Sequence, residues 1–508
     1  MIVIYHKDHR VSRIFDFDNQ KVLTFRDSNI ATVLMDIAHE YPERLLIWCH
    51  LLYQNELNET IFPELFHHKK IFLSYYPIEN YFSSAIGYIE ESPFINVNKK
   101  VSYPTWQMSS LVGGIHASVL IALNKEVILE NDFDYFLCSI AKRGMPLGLF
   151  CYSEPKLLKS DLEIQNLSKP SLFVIFKFVK QHYKYIWVVL LFFNLVIFEK
   201  KIPFFPFLFS LFYKKRKLSV DFNEINVQST LQVVEYGSID VIIPTIGRER
   251  YVYDVLCDLR NQTCLPKNVI IVEQNPLVDS VSELDFITSE TWPFVIKHTF
   301  THQSGACNAR NLALNQVESE WTFFADDDIR FDNCFFEKVL NKVDLYGLNI
   351  LTTSCLQKNE EQLYKIMHQS GIFGSGNSFV KRTALQELTF DMALEFGYGE
   401  DIDFGMQLRN KGFDVIYFPD IRILHLKAPI GGFRIKVKQL WEKEVVQPRP
   451  SPTVLYVILK YYTKEQLLSY KLVLFLKLLK KESFLNYLRF FESFEKKWKI
   501  SYKWAKRL

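Results

Sequence analysis

Three consecutive aspartates, Asp326-Asp327-Asp328, follow the run Trp321-Thr322-Phe323-Phe324-Ala325. The run has strand length and ends where the carboxylates begin, so a buried strand would deliver three like charges to one spot. Packed carboxylates repel one another, and the cluster is costly unless a cation sits among them. Oxygen ligands on a hard divalent ion suit Mg2+ or Mn2+, which also bind a diphosphate; a solvated acidic loop would show the same residues. Further on, Glu400-Asp401-Ile402-Asp403 follows Gly397-Tyr398-Gly399 and opens a helical pattern. Carboxylates there are stabilised by the helix dipole and free N–H groups, as ordinary caps are. The same placement suits a general base above a sheet, the role expected at Asp401 with Glu400 beside it. His425 ends the strand-like run Ile421–Leu424, and Gly431-Gly432-Phe433-Arg434 beyond it reads as a flap ending in a cation. A lone histidine is more often structural than a ligand, so His425 gains meaning from its company.

Such groups need elements to hold them. Ile239–Ile243 reads as a strand ending at Pro244, Val269–Glu273 as a second and Trp321–Ala325 as a third. Helical patterns at Tyr251–Arg260 and Ala306–Gln316 lie between them, and a helix at Asp403–Lys411 and a strand at Val415–Phe418 extend the series. Strands alternating with helices predict an α/β fold with a mostly parallel sheet and ligands at the strand C-terminal ends, from about Ile239 to about Arg434. Residues 1–160 read as mixed α/β, with strands at Ile2–Tyr5 and Leu45–Trp48. In residues 161–230, Tyr185–Phe198 is nearly all apolar, and Ile202–Tyr213 carries Pro203 and Pro206. Neither run reaches the ~20 residues of a spanning helix. Two readings stay open: buried helices between domains, or a segment lying in a membrane interface with Lys214-Lys215-Arg216-Lys217 on anionic lipid. Residues 450–508 read as basic helices, either a cap on the catalytic domain or an amphipathic face toward a membrane. The expected division is 1–160, 161–230, 231–440 and 441–508.

At 508 residues the chain exceeds one hydrophobic core. Its 48% hydrophobic and 23% charged residues are globular values that exclude a disordered chain. A net charge of +3 gives no ground for a nucleic-acid partner. The eight cysteines form no C-x-x-C pair, which argues against zinc and thioredoxin-like chemistry, and the opening MIVIYHKDHR lacks the pattern of a secretory signal. A cytoplasmic protein with reduced thiols is expected, peripheral on the inner face of the cytoplasmic membrane if the basic, aromatic-rich segments touch lipid.

Asp240-Val-Ile-Ile-Pro-Thr245, Gly305-Ala-Cys-Asn-Ala-Arg310-Asn311, Ala325-Asp-Asp-Asp328, Gly399-Glu-Asp401 and His425 occur in that order. Together they resemble the inverting family 2 glycosyltransferases of the GT-A fold, over about 200 of the 508 residues. The resemblance implies a metal-dependent, hexosyltransferase-type enzyme. Thr245, Arg248 and Glu273 fall where the family holds nucleobase and ribose, with Glu273 at a place often taken by Asp, and Arg310 falls where a cation nears the nucleotide. Asp326 and Asp328 match the DxD motif, the first nearer the ribose and the second on Mn2+ or Mg2+, with His425 completing the metal site. Asp401 matches the base, Arg434 the diphosphate contact, and Gly374, Ser375 and Gly376 the small-residue floor of the sugar pocket. The implied partners are a nucleotide-diphosphate sugar donor and a glycan or lipid-linked glycan acceptor, as in surface polysaccharide or glycolipid assembly.

Two readings of the first 160 residues stay open: a degenerate GT-A-like copy, or a chance similarity between α/β segments. Ser109–Gly114 pairs with Ser370–Ser375, and Asp132–Phe150 with Glu400–Phe418. Placing Gly144 on Gly412 puts Asp132 at Glu400 and Phe133 at the base, and Cys49-His50 stands where the aspartates would be. Such a copy has lost metal site and base and would bind acceptor, partner or regulator. Two rivals remain. A non-catalytic sugar-nucleotide-binding or scaffolding protein would have no reason to keep Asp326, Asp328, Asp401 and His425 together. A nucleotidyltransferase would show a Gly-rich phosphate loop where this chain has Pro244-Thr245-Ile246-Gly247-Arg248, and no P-loop motif is present.

Overall fold

The computed structural model describes residues 1–77, 81–123, 128–160, 169–217, 220–429, 438–480 and 487–508. The chain forms two units, Met1–Leu231 with Thr463–Leu474, and Gln232–Tyr462 with Phe475–Leu508.

The strands of the first unit are β1 (Ile2–Lys7), β2 (Arg10–Asp16), β3 (Lys21–Leu23), β4 (Leu45–His50), β5 (Ile71–Tyr75), β6 (Tyr103–Pro104), β7 (Val112–His116) and β8 (Phe150–Ser153). They make one mixed sheet in the order β3-β2-β1-β4-β7-β5-β8-β6. Nearly all residues of β1, β4 and β5 are buried, as expected for strands covered on both faces. The helices Ile30–Glu40 and Phe133–Gly144 start at Asn29 and Asp132, whose side chains accept backbone N–H bonds at the helix opening. The two apolar runs form helices Tyr185–Glu199 and Phe204–Ser210, packed with Leu172–His182. Among the described residues no helix is long and apolar enough to cross a membrane.

The second unit holds β9 (Ile239–Thr245), β10 (Asn268–Gln274), β11 (Val295–Thr301), β12 (Trp321–Ala325), β13 (Ile329–Arg330), β14 (Ile350–Gln357), β15 (His368–Gln369), β16 (Asn377–Lys381) and β17 (Ile416–His425). Its sheet runs β11-β10-β9-β12-β16-β14-β17-β13, with β15 also on β17. The β11-β10-β9-β12 half is parallel, whereas β16 runs antiparallel to both β12 and β14. Apart from Val415, which precedes it, the runs Val415–Phe418 and Ile421–Leu424 belong to one strand, β17, whose register against β14 shifts midway. The C-terminal helices are Pro452–Tyr461, Lys464–Leu479 and Tyr487–Ala505.

The two sheets repeat one plan. Strands β1-β4-β7-β5-β8 and β9-β12-β16-β14-β17 follow the same order, with neighbours parallel, antiparallel, antiparallel and parallel in each. β6 and β15 fall at the same point in the chain order, each antiparallel to the last of these strands. Outside β1 lies an antiparallel hairpin, where β9 has parallel β10 and β11. β13 has no counterpart among the described strands of the first unit.

This plan corrects the pairing read from sequence. Gly148 and Gly412 both have φ +92°. Each donates its N–H to the carbonyl three residues back, and the next residue donates to the carbonyl five back. Gly148, not Gly144, is therefore the counterpart of Gly412, because the first unit's helix runs on through the 3-10 turn Met145–Leu147. Counted from the helix start, Asp134 rather than Phe133 matches Asp401, each being the second helical residue. The strand entrances agree. Ser110 N donates to Asp134 Oδ1 and Ser375 N to Asp401 Oδ1, which sets Ser110 on Ser375 and so displaces the pairing of Ser109–Gly114 with Ser370–Ser375. His50 N donates to Leu111 O and Asp326 N to Gly376 O. The first unit thus keeps a carboxylate at the position of Asp401 and has His50, Leu51 and Leu52 in place of the three aspartates.

Candidate active site

The site forms where β12 ends. All five β12 residues are buried, and β9 and β16 flank the strand, so its next three residues emerge together at the sheet edge. Each aspartate goes a different way. Asp326 turns outward and meets Arg310 Nη2 at 3.3 Å. Asp327 turns in, accepting from Thr245 Oγ1 at 2.7 Å and Arg248 Nη1 at 2.5 Å. Asp328 accepts from Ala428 N at 2.7 Å and faces His425 Nε2 at 3.3 Å. His425 is brought there by β13, which pairs Ile329 with it directly after the aspartates.

The charges follow from this packing. Burial pushes the Asp327 carboxyl up to about 6, against the pull of Arg248 and Thr245. Burial also opposes ionisation of Asp328, but His425, the Ala428 N–H and Arg248 outweigh it and hold that carboxyl below its usual range. The hydrogen bond with Asp328 raises His425 in return, against partial burial. One carboxylate oxygen of Asp326, one of Asp328 and a ring nitrogen of His425 lie within 4.8 Å of one another. Two oxygens and an imidazole nitrogen suit Mn2+ or Mg2+, with coordination positions left for a diphosphate.

Across the cleft stands the helix Glu400–Asn410, preceded by Gly399 at φ +114°. Asp401 accepts from Ser375 N at 3.3 Å. Burial raises its carboxyl, while Arg310 and Ser375 oppose the rise. Burial, and then the charge of Asp401, pushes Glu400 up to about 7. The loop Gly374-Ser375-Gly376 joins the two sides, since Ser375 holds Asp401 and Gly376 O accepts from Asp326 N. Side chains are barred there. A Cβ on Gly376 would sit 2.2 Å from Asp326 Oδ2, and one on Gly374 2.0 Å from Asn377 Oδ1.

The expected residues come together with one exception, Arg434, which lies outside the described residues. Thr245 and Arg248 are both engaged by Asp327. Glu273, opposite Thr245 in the β9–β10 register, accepts from Ser282 Oγ, Glu283 N and His298 Nε2. Burial works against its ionisation, but His298 and Ser282 lead a set of contacts that hold it below the usual range. Arg310 is buried, with its guanidinium over the Phe390 ring and Nε without a hydrogen-bond partner.

Sequence reasoning missed three supporting carboxylates. Asp327 looks like one of a run but fixes Thr245 and Arg248. Glu395 accepts from Cys307 N and Asn308 N, capping the helix that carries Arg310. The signal was Gly305 at that helix start, which offers no side-chain cap of its own. Asp403 is wholly buried and accepts from Lys460 Nζ and Tyr461 OH, both at 2.7 Å, so the helix Pro452–Tyr461 braces the helix bearing Asp401.

Among solved structures, S. aureus TarS is similar at 19% identity and a TM-score of 0.32, over 38% of this chain and 37% of that one. TarS 1-349 in complex with UDP-GlcNAc is similar at 16% identity and a TM-score of 0.37, over 50% of this chain and 79% of that one. The same fragment in complex with UDP gives 19%, 0.30, 36% and 60%. This chain thus spans little more than a third of the full TarS chain. No curated protein matches it. The model of glycosyl transferase family 2 matches residues 240–397, which take in β9 to β16 with the aspartates and the Gly374–Gly376 loop. The second unit of this chain is therefore built on a family 2 glycosyltransferase domain.

Proposed function

We propose that the second unit transfers a sugar from a nucleotide-diphosphate sugar to an acceptor hydroxyl, with inversion at the anomeric carbon. The observation that supports it most is the loop Gly374-Ser375-Gly376, which ties three side chains spaced to hold a metal ion to a buried carboxylate on the opposite wall. Thr245, Arg248, Glu273 and Arg310 line the nucleotide side. Asp326, Asp328 and His425 would hold Mn2+ or Mg2+, which when bound neutralises charge on the leaving diphosphate. Gly374, Ser375 and Gly376 leave room for the sugar. Asp401 removes the acceptor proton as the acceptor oxygen attacks the face opposite the leaving group. Its raised pKa strengthens it as a base while leaving it ionised above the shifted value. Glu400 beside it carries part of its negative charge only near neutrality, which softens the repulsion on Asp401.

A glycan or lipid-linked glycan acceptor, as in surface polysaccharide or glycolipid assembly, fits a protein with basic, aromatic-rich exterior segments. The first unit, with His50-Leu51-Leu52 where the aspartates stand, does not transfer sugar by this chemistry and serves as a binding module. The decisive experiment is thermal stabilisation by UDP, GDP, TDP and CMP, each with and without Mn2+, beside the Asp328→Ala chain; UDP is a ligand of S. aureus TarS. A shift that needs one nucleotide, the metal and Asp328 is expected. Equal shifts in both chains, or none with any nucleotide, would move the reading to a non-catalytic protein.

A further inference from the structure

The helices Leu172–His182, Tyr185–Glu199 and Phe204–Ser210 pack through their inner aromatic rings. Phe207 lies against both Phe176 and Phe192. Their outer side is unusual. Ile202 is 76% exposed, Phe205 64%, Phe209 56% and Phe212 85%. Phe193 and Ile197 continue the apolar surface along the outer stripe of the helix Tyr185–Glu199. Single exposed apolar side chains are ordinary, but large rings crowded on three packed helices mark a surface that is covered in use.

Charge says what covers it. Residues 169–217 contain ten basic side chains and one acidic one, Glu199. Lys200 and Lys201 lie between the two apolar helices, and Lys214 and Lys215 follow the last exposed rings; all four are exposed. A protein–protein core excludes lysine, whereas a bilayer accepts rings below its headgroups and lysines among them. The helices have 15 and 7 residues, too short to span, which leaves them lying in the interfacial plane.

We infer that this aromatic face, with Lys200, Lys201, Lys214 and Lys215 around it, docks the protein on an anionic lipid bilayer. The rings enter the boundary between headgroups and acyl chains, and the ammonium groups meet lipid phosphates. Docking stands independently of the transfer reaction. It would keep the chain where a membrane-held acceptor is concentrated.

The test is co-sedimentation of the full chain with vesicles of phosphatidylcholine alone or mixed with phosphatidylglycerol. Binding is expected on the mixed vesicles and should weaken as salt rises. The chain with Phe205→Ser, Phe209→Ser and Phe212→Ser should lose at least tenfold in affinity, and each of Lys200→Glu and Lys214→Glu about fivefold or more. These side chains are exposed, so the variants should unfold at the wild-type temperature. Asp328→Ala should bind vesicles as the wild type does, separating this proposal from the catalytic one. Absence of wild-type binding, or equal binding with and without phosphatidylglycerol, would overturn it. So would a dimer of the wild-type chain that the triple Phe→Ser variant dissolves, since a second copy would then be what covers the rings.

Discussion

On the proposed mechanism, Asp401 and Arg310 form the balance on which the chemistry turns. Asp401→Asn should cut transfer about 10²–10⁴-fold while nucleotide-induced stabilisation persists, and a parallel loss of both would remove Asp401 from the base role. Arg310 lowers the carboxyl that burial raises. Its loss lets that pKa climb, and because the ionised form does the work, activity in Arg310→Ala should fail at a higher pH on the acid side than in the wild type. An unmoved acid limb in the profile of kcat/KM against pH would mean that another group controls it. Gly376→Ala puts a methyl where Asp326 stands and should abolish donor-induced stabilisation without unfolding the chain. These residues were legible in the sequence because short-range patterns carry them: a buried strand ending in acids, a glycine pair before a helix. Asp327, Glu395 and Asp403 were not, because their partners lie far along the chain and an acid paired at long range looks like any surface acid.

At the scale of elements, long apolar strands declared themselves through continuous burial, and β12 was read to the residue. Short pairings such as β13 and β15 have two residues each and no periodicity to detect, although β13 seats His425. The misplacement of Gly144 has a related cause. Both helices end in the same left-handed turn, but one continues through an extra 3-10 turn, and glycine identity alone cannot distinguish Gly144 from Gly148. The brace on the helix Glu400–Asn410 can be tested directly. Lys460→Ala leaves the buried Asp403 short of its cationic partner and should cost about 2 kcal/mol, lowering Tm by ~4–8 °C. It should also reduce transfer, although Lys460 is remote in sequence from every residue of the cleft. Unchanged Tm would show that Tyr461 OH and Gln407 Nε2, which also donate to Asp403, suffice.

Over the whole molecule, one sheet plan occurs twice, and among the described residues the strand end that carries three aspartates belongs to the second unit, where the first has His50, Leu51 and Leu52. Asp134→Asn should therefore leave transfer intact while Asp401→Asn removes it, and equal losses in an assay of sugar transfer would assign chemistry to both units. The duplication was partly visible in the sequence as similar glycine and acid spacings. Its register was not, since hydrogen bonds such as those of Ser110 and Ser375, and of Gly148 and Gly412, align the copies. The packing of the helix Pro452–Tyr461 has a practical corollary. A Cβ on Gly397 or Gly399 would strike Thr453 or Val457 of that helix, at 2.5 and 2.7 Å. The family match stops at residue 397, before Asp401 and well before this brace. A fragment trimmed to the family boundary would carry the three aspartates but not Asp401, His425 or the helix that shapes the Gly397–Gly399 loop. Dissection of this protein for expression or transplantation has to keep Gln232–Tyr462 together with Phe475–Leu508, the two stretches that make up the second unit.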